Sequence, residues 1–277
     1  MEHKDYQKIN TIYKRDQDGR LIFGDWSLPE FEFLKDCKFR AEEKIDGTNI
    51  QVRFNGVRVE FGGRTTKANI PPHLLRKLEE LFTLEKMRTA FPPKNENYFD
   101  TPYINITLYG EGYGAKIQKG GGRYIKDGVN FILFDVKIDD WWLKRHNVED
   151  IAGKLGIKCV PIIGYMTFEE ATDYVRKGFK SLVAEDKTYN AEGLVLKTDL
   201  ELLDRRGFRI ITKIKFRDFK RTDETKGDYK NPNHSTENNP IKGMGWHCAG
   251  DELSAQELSV KKGNKSTFGA SSHDDRI

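Results

Sequence analysis

The stretch IQVRFNGVRVEF, residues 50–61, carries the clearest local structural signal in the sequence. Apolar and polar residues alternate on both sides of Asn55-Gly56, a dipeptide that favours the type I′ turn between two antiparallel strands. The pattern therefore predicts a two-stranded hairpin. Because successive side chains point to opposite faces of a strand, Ile50, Val52 and Phe54 are expected to share one face.

Outward from this hairpin, the sequence predicts a mixture of helices and strands. Apolar residues recur at helical spacing after Pro71-Pro72, whereas shorter runs rich in β-branched and aromatic residues are typical of strands. Helices are predicted at 73–90, 148–155 and 168–177, and strands at 103–109, 129–138, 193–197 and 208–216. This order indicates an α+β fold of largely antiparallel sheets flanked by helices.

The composition excludes several classes of protein. The 277 residues are 37% hydrophobic and 32% charged, and no apolar stretch approaches the roughly 18 residues of a membrane-spanning helix. The charged N-terminus is not followed by the apolar segment of a secretory signal, so we expect no membrane partner and a cytoplasmic location. The three cysteines are too far apart to indicate a disulfide framework or a zinc site.

The chain is expected to divide near residue 220. Beyond this point the sequence is crowded with Asn, Pro, Lys, Gly and Ser and holds few apolar residues, too few for an independent core. We expect residues 1–220 to form one folded domain. Residues 221–277 would form a polar tail that is flexible or docked at the periphery.

The segment EKIDGTN, residues 43–49, lies directly before the hairpin and offers a candidate nucleophile in Lys44. A lysine becomes nucleophilic when desolvation or neighbouring cations lower its pKa, and the neutral amine can then attack a phosphorus atom. A charged surface turn is the alternative for this segment taken alone.

Six segments taken in order resemble the ATP-dependent RNA ligase family of covalent lysyl-nucleotidyltransferases. KIDGTN (44–49) is similar to the first motif, which is KxxGxN in RNA ligases and KxDGxR in most DNA ligases and capping enzymes, so Asn49 favours RNA ligation. The others are GGRT (62–65), LYGEGYG (108–114), FILFDV (131–136), AEGLVLK (191–197) and KIK (213–215). The resemblance spans about residues 6–220 and implies the nucleotidyltransferase fold, an ATP-grasp-like adenylation fold.

The resemblance also implies which residues contact the nucleotide. Lys44 is implied to become covalently attached to AMP, with Glu43 and Asn49 beside it in the nucleotide site. Arg64, twenty positions after Lys44, is implied to grip phosphate, since its planar guanidinium can donate two hydrogen bonds to an oxyanion. Glu111 is implied to accept hydrogen bonds from the ribose hydroxyls.

Phe131, twenty positions after Glu111, is implied to stack on the purine, whereas Phe134 is expected to belong to the core. The basic, glycine-rich segment AKIQKGGGRY (115–124) is expected to be a mobile loop over phosphate or RNA.

Glu192 is the implied ligand for a divalent metal ion, because a carboxylate suits a hard cation. Lys213 and Lys215 lie two positions apart and would face the phosphates from one side of a strand. As the resemblance implies catalytic roles for both, their positive charge would stabilise the transition state and lower the pKa of Lys44 by like-charge repulsion.

The implied activity is ATP-dependent RNA ligation, in which AMP passes from Lys44 to an RNA 5′-phosphate and a 3′-hydroxyl then displaces AMP. ATP and Mg²⁺ (or Mn²⁺) are the implied cofactors, RNA with 5′-phosphate and 3′-hydroxyl ends is the implied partner, and we expect a monomer. Three alternatives stay open: a capping-type guanylyltransferase, a DNA ligase, and a binding module that recognises RNA ends without catalysis. Asp46 departs from the histidine that many RNA ligases carry at this position.

Overall fold

The computed structural model describes residues 4–92 and 105–223, with side chains up to Phe219. The strands in these ranges are β1 (Asn10–Thr11), β2 (Tyr13–Arg15), β3 (Leu21–Trp26), β4 (Phe39–Lys44), β5 (Thr48–Phe54), β6 (Val59–Gly63), β7 (Ile106–Gly114), β8 (Val129–Ile138), β9 (Trp141–Trp142), β10 (Lys158–Cys159), β11 (Ile162–Met166), β12 (Gly193–Lys197) and β13 (Ile211–Lys215). The helices are α1 (Pro29–Phe33), α2 (Pro72–Leu81), α3 (Leu84–Ala90), α4 (Gly121–Tyr124), α5 (Arg145–Leu155), α6 (Phe168–Lys177) and α7 (Phe216–Asp223).

Two sheets carry the fold. The first has the strand order β1-β13-β12-β4-β11, and its pairs are antiparallel apart from β1 with β13. The second has the order β10-β8-β7-β5-β6, with β9 added on β8 and a parallel pairing of β10 with β8. The predicted α+β class with largely antiparallel sheets is confirmed.

Each sheet packs one face against helices. In the second sheet, Ile50, Val52 and Phe54 are buried against α2, α3 and α5, which confirms the predicted hairpin face. In the first sheet, residues such as Phe39 and Ala41 pack against α1, α6 and the β2–β3 hairpin. Because side chains alternate along a strand, the other faces of the two sheets are left for polar residues and a cavity.

The hairpin turn differs from the predicted two-residue turn. Phe54 pairs with Val59, so the loop comprises the four residues 55–58. The Asn55 carboxamide oxygen accepts hydrogen bonds from the backbone N–H groups of Val57 and Arg58 at 3.1 and 3.0 Å. These local bonds replace the ladder bonds that a two-residue turn would have formed.

Other predicted boundaries are corrected or confirmed by the structure. The helix predicted at 73–90 is two helices, since α2 ends at Leu81 and the Thr83 hydroxyl caps α3 by accepting from the Lys86 N–H. The strand predicted at 103–109 is β7, which extends through Glu111 to Gly114, and the strand predicted at 208–216 is the shorter β13. The bounds of β8, β12 and α6 are those predicted.

The domain boundary expected at 220 falls inside α7. The rest of the predicted tail lies outside the described residues. None of the helices in the described ranges is long and apolar enough to cross a membrane.

Candidate active site

A cavity of about 200 Å³ lies between the two sheets. The first sheet contributes lining residues from β4, β12 and β13, and the second contributes residues from β5, β7 and β8, together with the residue that follows β6. The polar lining residues of the two sheets are Glu42, Glu43, Lys44, Asn49, Arg64, Glu111, Lys197 and Lys213. The structure therefore brings most of the predicted site residues to one cavity.

Strand pairing places Lys44 beside the carboxylate of Glu192. Gly193, the first residue of β12, pairs with Lys44 on one side and Lys215 on the other. Glu192 directly precedes Gly193, and its two carboxylate oxygens lie 2.6 Å from Lys44 Nζ and 2.6 Å from Lys215 Nζ. One carboxylate thus holds two ammonium groups.

Gly193 is required by this arrangement. Its φ is +156°, and a Cβ there would lie 2.0 Å from the Ile214 carbonyl oxygen. A side chain at this position would push β12 away from β13 and separate Glu192 from Lys215.

The lysines have opposite effects on the groups around them. Burial alone would raise the pKa of Glu192, but the charges and hydrogen bonds of Lys44 and Lys215 outweigh burial and lower it. Lys213 is not in this ion pair. Burial, together with the positive charges of Lys215 and Lys44, lowers the pKa of Lys213 to about 8.

Glu111 and Asn49 are paired across β5 and β7. Burial raises the pKa of Glu111 to about 8, with Glu192 and Asp46 also raising it and Lys44 opposing them. The Asn49 side-chain oxygen is buried and has no hydrogen-bond partner among the described residues. A buried acceptor without a partner is costly, so a ligand donor at this position would stabilise the site.

The turn between β4 and β5 depends on Gly47. A Cβ at Gly47 would lie 2.3 Å from the Gly112 carbonyl oxygen and 2.9 Å from the Glu111 Cγ atom. The glycine therefore lets the turn that follows Lys44 approach the strand that carries Glu111.

Arg64 directly follows β6 and lines the cavity from an exposed position. Its backbone carbonyl oxygen accepts hydrogen bonds from the Tyr6 N–H at 3.3 Å and the Gln51 amide at 3.4 Å. The backbone is anchored at this point, while the guanidinium remains accessible from solvent for an anionic group.

Phe131 and Phe134 of β8 lie in the opposite arrangement to that predicted, in which Phe131 would contact the nucleotide and Phe134 would belong to the core. Phe131 is 1% exposed and packs edge-on against Phe82 in the helix-facing core, with ring centroids 5.1 Å apart. Phe134 lines the cavity. Phe134 is three positions from Phe131, so alternation along β8 puts it on the opposite face. Tyr109 then pairs with Asp135 and Gly110 with Leu133, a bulge that leaves Phe134 as an extra residue and puts Asp135 on the same face as Phe134.

Glu43 also differs from its predicted role. Its side chain shares a face of β4 with Phe39 and Ala41 and is turned away from the face that carries Lys44. The carboxylate accepts hydrogen bonds from the Ser181 hydroxyl and from the Leu182 N–H at 2.8 Å. Glu43 therefore secures a loop, and its backbone lines the cavity.

A charged network beneath the cavity was missed by the sequence reasoning. Lys197 Nζ lies 2.9 Å from both Asp135 and Glu42, and Arg209 lies 2.8 Å from Asp135. The Tyr6 hydroxyl donates to Asp135 at 2.6 Å. Burial would raise the pKa of Asp135, but Arg209 and Lys197 hold it far below its usual range. The sequence does contain a signal for this network, because Asp135 and Lys197 are single charged residues in the otherwise apolar strands FILFDV and LVLK.

No cluster of three metal-ligating side chains occurs among residues 4–92 and 105–219. Three acidic groups, Glu192, Asp46 and Glu111, interact electrostatically with Lys44 and with one another. Burial raises the pKa of Asp46, and the negative charge of Glu192 raises it further. Such hard carboxylate oxygens suit a cation that completes its coordination with phosphate oxygens and water, as Mg²⁺ commonly does. Sequence reasoning had noted Asp46 only as a departure and did not include it in the site.

A family model described as RNA ligase matches residues 38–215, which is more than half of the chain. A search of curated proteins found no match to the chain.

Solved structures similar to the chain include three of RNA ligases from Naegleria gruberi. An apo mutant is 21% identical with a TM-score of 0.51 and covers 70% of this chain and 54% of its own. A mutant with ATP and Mn is 17% identical with a TM-score of 0.51, and a structure with PPi is 19% identical with a TM-score of 0.52. Both cover 80% of this chain and 64% of theirs. These similarities show a shared fold, and the chain spans between about half and two thirds of their length.

Proposed function

Because the chain belongs to the RNA ligase family, we propose that it is an ATP-dependent RNA ligase that forms a covalent AMP adduct on Lys44. AMP then passes to the 5′-phosphate of an RNA, and an RNA 3′-hydroxyl displaces it to join the two ends. The observation that carries this proposal is the pair of lysines on Glu192 at the edge of a cavity that holds Asn49 and Glu111.

The first step is nucleophilic attack by Lys44 on the α-phosphorus of ATP. A bond forms between Nζ and phosphorus, the bond from phosphorus to the bridging oxygen breaks, and pyrophosphate leaves. Lys44 begins as the ammonium that contacts Glu192 at 2.6 Å, so one proton leaves Nζ to solvent before the attack and a second leaves the nitrogen as the phosphoramidate forms. Lys213 and Lys215 supply positive charge where negative charge develops on the phosphate.

The remaining cavity residues supply nucleotide binding. Phe134 offers an aromatic surface for the adenine, in place of Phe131. The Glu111 carboxyl group, which can exchange hydrogen bonds with the ribose hydroxyls, and the unpartnered Asn49 oxygen offer polar contacts to the sugar side of AMP. Arg64 is placed for phosphate.

A divalent cation, Mg²⁺ or Mn²⁺, would be held by Glu192 and Asp46 together with phosphate oxygens. When bound, it would neutralise phosphate charge. As further parts of the proposal, the partner is RNA with 5′-phosphate and 3′-hydroxyl ends, and the chain acts as a cytoplasmic monomer.

The test is covalent labelling of the protein by α-³²P-ATP in the presence of Mg²⁺. We expect label on the unaltered chain and on Lys154→Ala, which changes an exposed lysine of α5, and no label on Lys44→Ala. Persistent label on Lys44→Ala would move the nucleophile elsewhere. Absence of label from all three proteins would favour a binding module without catalysis.

Two further arms separate the remaining alternatives. Labelling from α-³²P-GTP and not from ATP would favour a capping-type guanylyltransferase. Sealing assays on matched RNA and DNA ends test the polymer, and sealing of DNA alone would favour a DNA ligase.

A further inference from the structure

The glycine-rich segment 115–124 makes hydrogen bonds to the turn that follows Lys44. The Asp46 N–H donates a hydrogen bond to the Tyr124 hydroxyl at 3.2 Å. The Gln118 side-chain amide donates to the Gly47 carbonyl oxygen at 2.9 Å. Two residues of this segment therefore contact two consecutive residues of the turn.

Tyr124 is placed for this contact by its aromatic neighbours. It is fully buried, and its ring meets the edges of Tyr113 and Tyr189 with centroid distances of 5.8 and 5.1 Å. Burial raises the pKa of the Tyr124 phenol far above its usual value, so the hydroxyl stays neutral at physiological pH. A neutral phenol can accept a backbone hydrogen bond without bringing a charge to the site.

The glycines of this segment serve its packing. A Cβ at Gly121 would lie 1.9 Å from the Gly114 carbonyl oxygen, and one at Gly120 would lie 2.3 Å from the Tyr189 hydroxyl. Residues 121–124 of the segment form α4 against the end of β7. Glycine is needed there because the backbone comes so close to its neighbours.

The same region reaches the other side of Lys44. Arg123 lies 2.8 Å from Asp186 and 4.7 Å above the ring of Tyr189, which connects α4 to the loop of residues 180–191. At the start of that loop, Ser181 donates a hydrogen bond to Glu43. The residues before and after the nucleophile are therefore fixed by one connected structure.

We propose that Tyr124 is a positioning residue for lysine adenylylation, which fixes the turn after Lys44 so that Nζ is held in the attacking position. The inference rests on the proposed function. Catalytic groups must be held within a fraction of an ångström of the reacting geometry, and small backbone displacements are costly in rate. The described hydrogen bond of the Tyr124 hydroxyl is with the Asp46 N–H, so its effect on Lys44 passes through the turn.

The experiment compares Tyr124→Phe with Tyr113→Phe in the full chain. Both variants keep the aromatic ring and remove one hydroxyl. Of these two hydroxyls, only that of Tyr124 has a described hydrogen bond to the turn. Single-turnover adenylylation is followed with α-³²P-ATP across ATP concentrations. Amide hydrogen exchange of Asp46 and the melting temperature are measured on the same proteins.

We expect Tyr124→Phe to lower the maximal adenylylation rate about three- to tenfold, the range that one lost hydrogen bond gives, with an unchanged half-saturating ATP concentration. The Asp46 amide should exchange faster, and Tyr113→Phe should match the unaltered chain in both measurements. If both variants adenylylate at the unaltered rate, the positioning role is overturned while the proposed function stands. Equal loss of rate in both variants would also overturn it, by showing a general packing effect. Absence of adenylylation in the unaltered chain would instead contradict the proposed function.

Discussion

Replacing Phe134 and Phe131 separately by leucine tests which aromatic ring of β8 binds the adenine. Phe134 lines the cavity, whereas Phe131 lies on the opposite face of the strand in a helix-facing core. The two substitutions remove the same atoms from positions three residues apart. We expect Phe134→Leu to weaken ATP binding and Phe131→Leu to weaken folding.

The expected size of the Phe134 effect follows from the loss of stacking. Stacking of a base on an aromatic side chain contributes about 1–3 kcal/mol. Phe134 is only half-buried and leucine keeps part of the apolar contact, so the lower half of that range applies. The half-saturating ATP concentration should therefore rise about tenfold, equivalent to about 1.4 kcal/mol.

Phe131→Leu should act on stability instead. The substitution removes the edge-on contact with Phe82 at 5.1 Å, and an aromatic pair of this kind contributes about 0.5–1.5 kcal/mol beyond its buried area. Since about 1 kcal/mol shifts the melting temperature of a domain this large by about 2–4 °C, a decrease of several degrees is expected.

Both variants should be measured by labelling with α-³²P-ATP at increasing ATP concentration and by thermal unfolding without nucleotide. A tenfold increase in half-saturating ATP concentration for Phe131→Leu, with Phe134→Leu unaffected, would contradict the placement of these rings. That result would indicate that the adenine stacks on Phe131, the residue that the motif spacing indicated.

Three further variants test the charges around the cavity. With a pKa of about 8, Lys213 loses its charge as the pH rises from about 7 to 9, so ATP binding should weaken in this window. Lys213→Arg should bind ATP with a smaller pH dependence, because arginine stays charged. Equal pH profiles of ATP binding for the unaltered chain and Lys213→Arg would contradict a phosphate-binding role for Lys213. Glu111 has its pKa raised from 4.5 to about 8, so the folded state binds more protons between these values, and the free energy of unfolding should fall as the pH rises through that window. Denaturant titrations should show a smaller fall for Glu111→Gln, and an unchanged slope would show that Glu111 is not the responsible group. Asp135→Asn leaves Lys197 and Arg209 without the charge that they share and should destabilise the fold by about 3–5 kcal/mol; a loss below about 1 kcal/mol would contradict the importance of this network.

Local sequence predicted the elements whose patterns are self-contained. The bounds of β8 and β12 follow from apolar runs rich in β-branched residues, and those of α6 from a helical pattern. In the structure, a capping box of Thr167 and Glu170 begins this helix. The candidate nucleophile Lys44 and its neighbours in the cavity were predicted through ordered motifs, because each motif is short and contiguous.

The face on which a residue lies could not be predicted where it depends on a partner strand. Phe131 and Phe134 are three positions apart, so strict alternation would put them on opposite faces but does not say which face bounds the cavity. The bulge opposite Tyr109 and Gly110 then turns Phe134 and Asp135 to the same face. A bulge is a property of the pair of strands, and the motif spacing contains no information about it.

The position of the charged network beneath the cavity also depends on strand order. Glu42 in β4, Lys197 in β12 and Asp135 in β8 are distant in sequence, and Lys197 joins a carboxylate from each sheet. Buried ion pairs often contribute little net stability, because desolvation of the charges offsets their attraction. Their geometric effect is more specific, since Lys197 can meet both carboxylates only when the two sheets have one separation and one register. The cavity between those sheets holds Lys44 from the first and Glu111 from the second, so this network fixes the distance between the proposed nucleophile and the residue proposed to bind the ribose.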